Sequence, residues 1–436
     1  MHQAGIHLPV ATSPSSDRFR GALAGAAGNL LEWYDFAAYG YFSAIIGRSF
    51  FPSDTAYVSL LSAFAVFAAA FFMRPIGGIV FGHIGDRFGP KRALFTSAVV
   101  MTLSTFAIGC LPTYETAGVL APVLLVLLRL GQGMSVGGEY TASAAYLVSS
   151  SAPEHRGLMG SLTPLGATSG IMVGSLTGVV ISDLLTPSEV EAWGWRLPFL
   201  LGISLGLFVL VLRSRMQSDT VPASTGRQAQ KLPLREAFRT DAAAMLRAFL
   251  ATLILAGGFY LIFIYLVTYL QTQGGADQHE AFVINTASML VMLMCLPLYG
   301  ILSDRIGRKL VLTIQMIGVI VLSIPLFALI SSHLPIWIML GQIGFAVLLA
   351  GIGGVIPSML MEAFSSQARN TAMAISYNAA MALVGGTAPM VATALMARTQ
   401  NPMTLAYYMM GLSLLSLIGV LALKDRTGKP LTGNSM

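Results

Sequence analysis

The stretch "GNLLEWYDFAAYGYF" (28–42) sets Glu32 and Asp35 three residues apart in sequence that is otherwise almost wholly apolar. Gly28, Glu32, Asp35 and Tyr39 follow one another at intervals of four, three and four, which puts them on one helical face. Burial and mutual repulsion favour the protonated form of such a carboxyl pair, and a nearby arginine favours the ionised form. Opposing effects of this kind make a proton site that can be switched. Two arginines, Arg129 and Arg74, also stand in apolar sequence. A guanidinium stays charged and meets a carboxylate with a two-pronged fork, so Arg129 is expected to bind a ligand carboxylate or to pair with Glu32 or Asp35. Arg74, beside Pro75 and Gly77, either lines the same cavity or reaches out to water. Glu139 lies ten residues beyond Arg129, roughly 15 Å further along an ideal helix and turned by about 80°.

The elements that hold these residues must sit in lipid. Of 436 residues, 55% are hydrophobic and 10% charged, against about 25% charged in globular proteins. The apolar residues form blocks as long as a bilayer-spanning helix, which needs roughly 20 residues. Lipid offers no partner to an open backbone, so the spans are expected to be helices. Twelve are read: 21–47, 56–83, 93–111, 118–149, 157–184, 196–214, 242–271, 281–302, 310–331, 335–362, 370–397 and 403–424. The fold class is thus all-α, twelve transmembrane helices in two six-helix pseudo-symmetric bundles. The expected division is a cytosolic tail at 1–20, a first bundle at 21–214, a cytosolic linker at 215–241, a second bundle at 242–424 and a cytosolic tail at 425–436. Residues 1–20 have no cleavable-signal character. Cys110 and Cys295 read as small buried core residues, without a disulfide or metal role.

Basic residues orient the chain. Apart from Arg74 and Arg129 within spans, every Lys and Arg falls on the side of the N-terminus except Arg48, Arg196 and Arg398. That bias marks the cytosolic face and accounts for the net charge of +6 without a nucleic-acid partner. An internal repeat points the same way: "GHIGDRFGPKR" (82–92) and "GILSDRIGRK" (300–309) align, with Asp86 and Asp304 separated by 218 residues, half the chain. A duplicated six-helix unit implies two bundles rocking about a central site.

The repeated loops resemble the signature of the major facilitator superfamily, Gly-x-x-x-Asp-Arg-x-Gly-Arg-(Arg/Lys). The second copy fits through Arg308 and Lys309, and the first departs from it at Pro90. "GNLLEWYDF" (28–36), "MRPIGG" (73–78), "RLGQGMSVGGEY" (129–140), "EHRG" (154–157) and "WGWRLPF" (193–199) resemble the metabolite:proton symporter family over nearly the whole chain. Members of that family carry citrate, 2-oxoglutarate, shikimate, proline or betaine with protons. The resemblance implies proton-driven uptake of a small carboxylate or zwitterion, and only about a dozen residues after the last span argue against an osmosensing member.

On this reading Glu32 and Asp35 couple protons, and Arg129, Arg74, Tyr39, Tyr260, Tyr265, Asn285, Tyr377 and Asn378 contact substrate. Glu139 belongs to a cytosolic gate with Arg87 and Arg156 as partners. The resemblance implies that Asp86, Arg87, Asp304 and Arg305 latch the two halves. His83 reads as structural. The expected function is proton symport of a small organic carboxylate such as a di- or tricarboxylate. The alternatives are symport of a zwitterion such as proline or betaine, or proton antiport exporting an organic anion or drug. No His-rich spacing, Gly-x-Ser-x-Gly elbow or phosphate loop suggests an enzyme, a catalytic residue or a metal. The proton is the coupling ion and no cofactor is expected. The expected setting is the lipid bilayer of a bacterial cytoplasmic (inner) membrane, with both termini cytosolic and one chain functional as a monomer.

Overall fold

A computed structural model describes residues 29–214, 233–364 and 369–431. The first helix, α1, runs over 29–50 with a turn at Phe42. Then follow α2 (Ala56–Phe72 continued by Arg74–Phe88), α3 (Pro90–Cys110), α4 (Leu120–Ser135 continued by Glu139–Ser149), α5 (Arg156–Leu184) and α6 (Leu197–Ser214). The second half repeats the count with α7 (Ala242–Tyr260, continued to Thr272), α8 (Gln278–Ile306), α9 (Arg308–Ile330), α10 (Pro335–Ala363), α11 (Arg369–Ala380, continued to Thr399) and α12 (Met403–Ala422). Eleven of these are long and apolar enough to cross a bilayer, and the described part of α1 opens at Asn29. Gly28, the N-terminal tail and linker residues 215–232 lie outside the described residues.

Apolar side chains divide between two environments. Ile79, Val119, Leu184, Leu298 and Val321 are exposed, as a lipid-facing shell requires, while the most apolar stretches of α7 and α10 are almost wholly buried. Cys110, expected to be buried, is exposed at the end of α3, and Cys295 is half-buried. Several helices are interrupted where they approach the centre. Five-residue π segments occupy Leu261–Tyr265 of α7 and Met381–Gly385 of α11, and such wide turns gather at functional sites. The breaks in α2 at Met73 and in α4 at Val136–Gly138 lie against each other, so the ideal-helix projection from Arg129 to Glu139 does not hold. Gly133 allows the approach: a Cβ there would stand 2.0 Å from the Ala70 carbonyl oxygen.

The halves meet along α5 and α8, which pack more extensively than any other described pair, and through contacts of α1 with α7 and of α2 with α11. On the basic face, Asp304 closes the end of α5: its two oxygens accept from the N–H groups of Gly157 (2.8 Å) and Leu158 (3.0 Å). Free N–H groups and the dipole of a helix start favour such a carboxylate. Arg308 holds Asp304 at 2.7 Å and Glu362 at 3.4 Å. Asp304 is thus paired with Arg308, whereas Arg305, expected in the latch, is exposed. Arg87 is exposed against the Phe88 ring, and the Asp86 side chain lies outside the described ones. Gly89 and Gly307 occupy matching positions of the two repeats with φ of 92° and 99°, which side chains rarely adopt.

Residues after α12 fold back over this face. Asp425 accepts from the Lys309 N–H (3.1 Å), Thr427 from the Arg308 N–H (3.0 Å), and Arg156 donates to the Lys429 carbonyl (2.7 Å). Burial pushes the Asp425 carboxyl up, but hydrogen bonds from Thr427 and Lys309 and the charge of Arg308 hold it below the usual carboxylate range.

Since the α2–α4 contact has no room for a methyl group, Gly133→Ala is expected to cost ~1–3 kcal/mol of overpacking. Thermal unfolding of the purified variant should show a lowered midpoint; an unchanged one would mean the helices part freely.

Candidate functional site

The two acids of α1 do not share one site. Asp35 is fully buried and its Oδ2 accepts from Arg129 Nη1 at 3.2 Å. The same Nη1 donates to Gln132 Oε1 (2.8 Å), and Gln132 Nε2 donates to Thr105 Oγ1 (3.0 Å). Arg129 also lies 4.2 Å from the Tyr39 ring centre and 4.8 Å from that of Phe36, so its cation is met by aromatic faces as well as by a carboxylate. Tyr39 spends its hydroxyl on the Ala63 carbonyl at 3.0 Å. Arg129 is thus committed inside the first bundle rather than presented to a central cavity, and its acidic partner is Asp35, not Glu32.

Glu32 turns elsewhere. It is buried, makes no ion pair within 4 Å, and its Oε1 has no hydrogen-bond partner. It lines a cavity of about 20 Å³ with Glu139 and Arg213. Glu139 pairs with Arg213 and not with the expected Arg87 or Arg156. Arg213, by sequence only an orienting charge, is buried at the end of α6 and also donates to the Leu94 carbonyl at 2.6 Å.

Between the bundles lies a second cavity, of about 30 Å³, walled by Trp33, Tyr140, Phe259, Tyr260 and Tyr377. Trp33 stacks on Tyr260 with ring centres 6.3 Å apart, and Tyr140 stacks on Tyr377 at 4.6 Å and 7°. Arg74 is buried behind this wall rather than reaching for water, 5.4 Å from the Trp33 ring centre and 4.2 Å from that of Phe71. The donors here lack acceptors: Arg74 Nε and Nη2, Trp33 Nε1 and the Tyr260 hydroxyl are all buried and unbonded.

Other expected contacts fall outside that cavity. Asn285 donates to Tyr41 (2.9 Å) and Ser175 (3.0 Å) and accepts from Gln342 (2.7 Å), which ties α8 to α1, α5 and α10. Tyr265 is buried beside Phe64. Asn378 lines a cleft of about 900 Å³ between α2, α4 and α11 on the basic half, shared with Gly78, Thr141 and Asn370. His83 is exposed.

Trp33, Tyr140, Phe259, Gln132 and Arg213 were not singled out from sequence. Trp33 sits inside "EWYDF" and Gln132 one turn from Arg129, so spacing from the buried charges was the usable signal. Among the described residues, no three His, Cys, Asp or Glu side chains come together as metal ligands.

The Major Facilitator Superfamily model matches residues 25–385 and 248–435. The chain is 35% identical over 442 residues to the glycine betaine/proline/ectoine/pipecolic acid transporter OusA of Dickeya dadantii (strain 3937), covering 98% of this chain and 88% of that protein. It is 34% identical over 441 residues to the proline/betaine transporter of Escherichia coli (strain K12), with the same shares covered. Among solved structures, the proton:xylose symporter XylE bound to 6-bromo-6-deoxy-D-glucose superposes with a TM-score of 0.74 at 18% identity, over 96% of this chain and 98% of that one. The partially occluded inward-open form of the xylose transporter XylE from E. coli gives 0.74 at 19%, over 96% and 100%. At such identities the structural likeness is one of fold, whereas the sequence relatives are transporters and not enzymes. With twelve helices, a repeated loop and a match to the family over most of its length, this chain is a multi-pass membrane transporter and belongs to the Major Facilitator Superfamily.

Proposed function

We propose that this transporter imports a small zwitterion, of the size and charge of proline or a betaine, together with a proton. The observation that carries this reading is the set of buried donors without acceptors, Arg74, Trp33 and Tyr260, beside a cavity of aromatic rings. A carboxylate supplies the missing acceptors, and an ammonium or quaternary ammonium group is attracted to the ring faces. Arg129 also keeps unbonded Nε and Nη2, but it is paired with Asp35 and covered by the Tyr39 and Phe36 rings. Among the described residues, Arg74 is therefore the guanidinium whose open donors lie beside the cavity wall. One such cation matches one carboxylate better than the di- or tricarboxylate first expected. The proline and betaine transport named for the relatives supports the same choice.

A volume near 30 Å³, against the roughly 10–15 Å³ that holds one water, has room for only about two waters, so solute enters only when the bundles part. The Tyr140–Tyr377 stack stands between this cavity and the cleft lined by their neighbours Thr141 and Asn378. Parting the stack, once the Asp304 latch has released, opens the way to the cytosol. Asp35 couples this movement to the proton. Protonation removes the anionic partner of Arg129, and Trp33 of the same helix touches the solute cavity, so proton and solute act on α1 together. The transporter works as a monomer in a bacterial cytoplasmic membrane, termini in the cytosol.

In proteoliposomes, Arg74→Gln is expected to raise the half-saturation concentration for proline and glycine betaine about 10- to 100-fold, the loss of a charge-assisted hydrogen bond of ~1.5–3 kcal/mol. An unchanged value would remove Arg74 from the solute site. Asp35→Asn is expected to exchange labelled for unlabelled solute across the vesicle while failing to accumulate it under an imposed pH gradient. Accumulation at the wild-type level by this variant would refute the coupling role, and competition by citrate but not by betaine would restore the carboxylate reading.

A further inference from the structure

The 20 Å³ chamber has a feature that the solute cavity lacks: every residue lining it belongs to the first bundle. Its walls come from α1 (Glu32), α3 (Ser97, Met101), α4 (Ser135, Glu139) and α6 (Arg213). About 10–15 Å³ is enough to hold a water. At one end stands the unpartnered, buried Oε1 of Glu32. At the other, Glu139 pairs with Arg213, the penultimate residue of α6, with the Glu139 side chain partly open at 16% exposure. The basic end of α3 is close by, since Lys91 donates to the Ser214 carbonyl at 2.9 Å. A carboxyl, room for one water and a second carboxylate therefore lie in sequence between the middle of the bundle and its basic face.

We propose that the coupling proton leaves through the first bundle by way of Glu32, the chamber water and Glu139, separately from the solute, which leaves between the bundles. Asp35 gives up its proton as it re-forms the pair with Arg129, and Glu32, three residues away on α1, takes that proton up. Glu32 passes one to the chamber water, and the water gives one to a Glu139 carboxylate oxygen. This step leaves Glu32 as carboxylate and Glu139 as carboxylic acid beside Arg213. Glu139 then returns the proton to water at the basic face. The charges acting on Glu32 are Arg74 of α2, Glu139 of α4 and Arg213 of α6; α3 offers the hydroxyl of Ser97, and Tyr260 of α7 lies within the field of Glu32. Arg74 and Arg213 stabilise the carboxylate that remains after transfer. Solute carboxylate arriving at Arg74 withdraws part of that support, so release of the proton and departure of the solute favour each other. This route gives Glu139 a transport role in place of the gate contact expected from sequence.

The proposal rests on the proton-coupled reading, and its test separates the two. Wild-type protein, Glu139→Gln and Ser97→Leu are reconstituted in vesicles containing a trapped pH dye, and solute uptake, proton appearance and solute exchange are followed. Ser97→Leu fills the chamber while leaving both carboxyl groups in the chain, so it answers even where Glu139→Gln fails to fold. Both variants are expected to leave exchange unchanged and to slow proton appearance and net uptake by about 100-fold, as loss of a proton-transfer group does. A larger solvent deuterium isotope effect on net uptake should accompany the slowing, which a merely structural role would not produce. Solute-linked proton appearance in the wild type that persists undiminished in both variants overturns the relay. Absence of that signal in the wild type overturns the proton-coupled reading itself.

Discussion

An arginine and an aspartate held at 3.2 Å with no access to water are the constraint from which the first bundle is built. Neither charge is tolerable alone in a medium of low dielectric, and removing one partner of such a pair is far more costly than never having it. The bundle answers in three ways. Gln132 and Thr105 extend the hydrogen bonding, Tyr39 and Phe36 cover the guanidinium with ring faces, and Gly133 lets the backbones of α2 and α4 close around it. A protonation change at Asp35 therefore perturbs helix packing and charge together.

The two bundles divide the work. The buried charges near mid-depth, Glu32, Asp35, Arg74 and Arg129, all belong to the first, whereas the described buried charges of the second, Asp241, Arg308 and Glu362, sit at its basic end. The second bundle brings rings and amides to the centre instead: Phe259, Tyr260, Tyr377, Asn285 and Gln342. Asp304 joins the two halves at the basic face by accepting two N–H groups from α5.

Much of this was legible in the residues. Long apolar blocks, basic loops and the repeat around Asp86 and Asp304 define twelve helices in two halves, because lipid leaves the backbone no alternative. The buried charges were found by the same rule, since Glu32, Asp35, Arg74 and Arg129 interrupt apolar sequence. Their partners were not. Helical spacing placed Glu32 and Asp35 on one face, but one turn of stagger aims Asp35 at Arg129 and Glu32 at a different chamber. An ideal helix aims Glu139 at the loop arginines, and the break at Val136–Gly138 gives it to Arg213 instead. The aromatic wall was only partly found, because single aromatic residues in apolar helices carry no signal until the opposite bundle is in place.

The central claim is that solute binding and protonation of Asp35 are one coupled event. Calorimetric titration of glycine betaine or proline into the purified transporter, in two buffers of different ionisation enthalpy at the same pH, measures the protons taken up on binding. The account predicts net proton uptake by the wild type and its loss in Asp35→Asn with binding retained. Equal heats in both buffers for the wild type, or undiminished uptake in the variant, would contradict it.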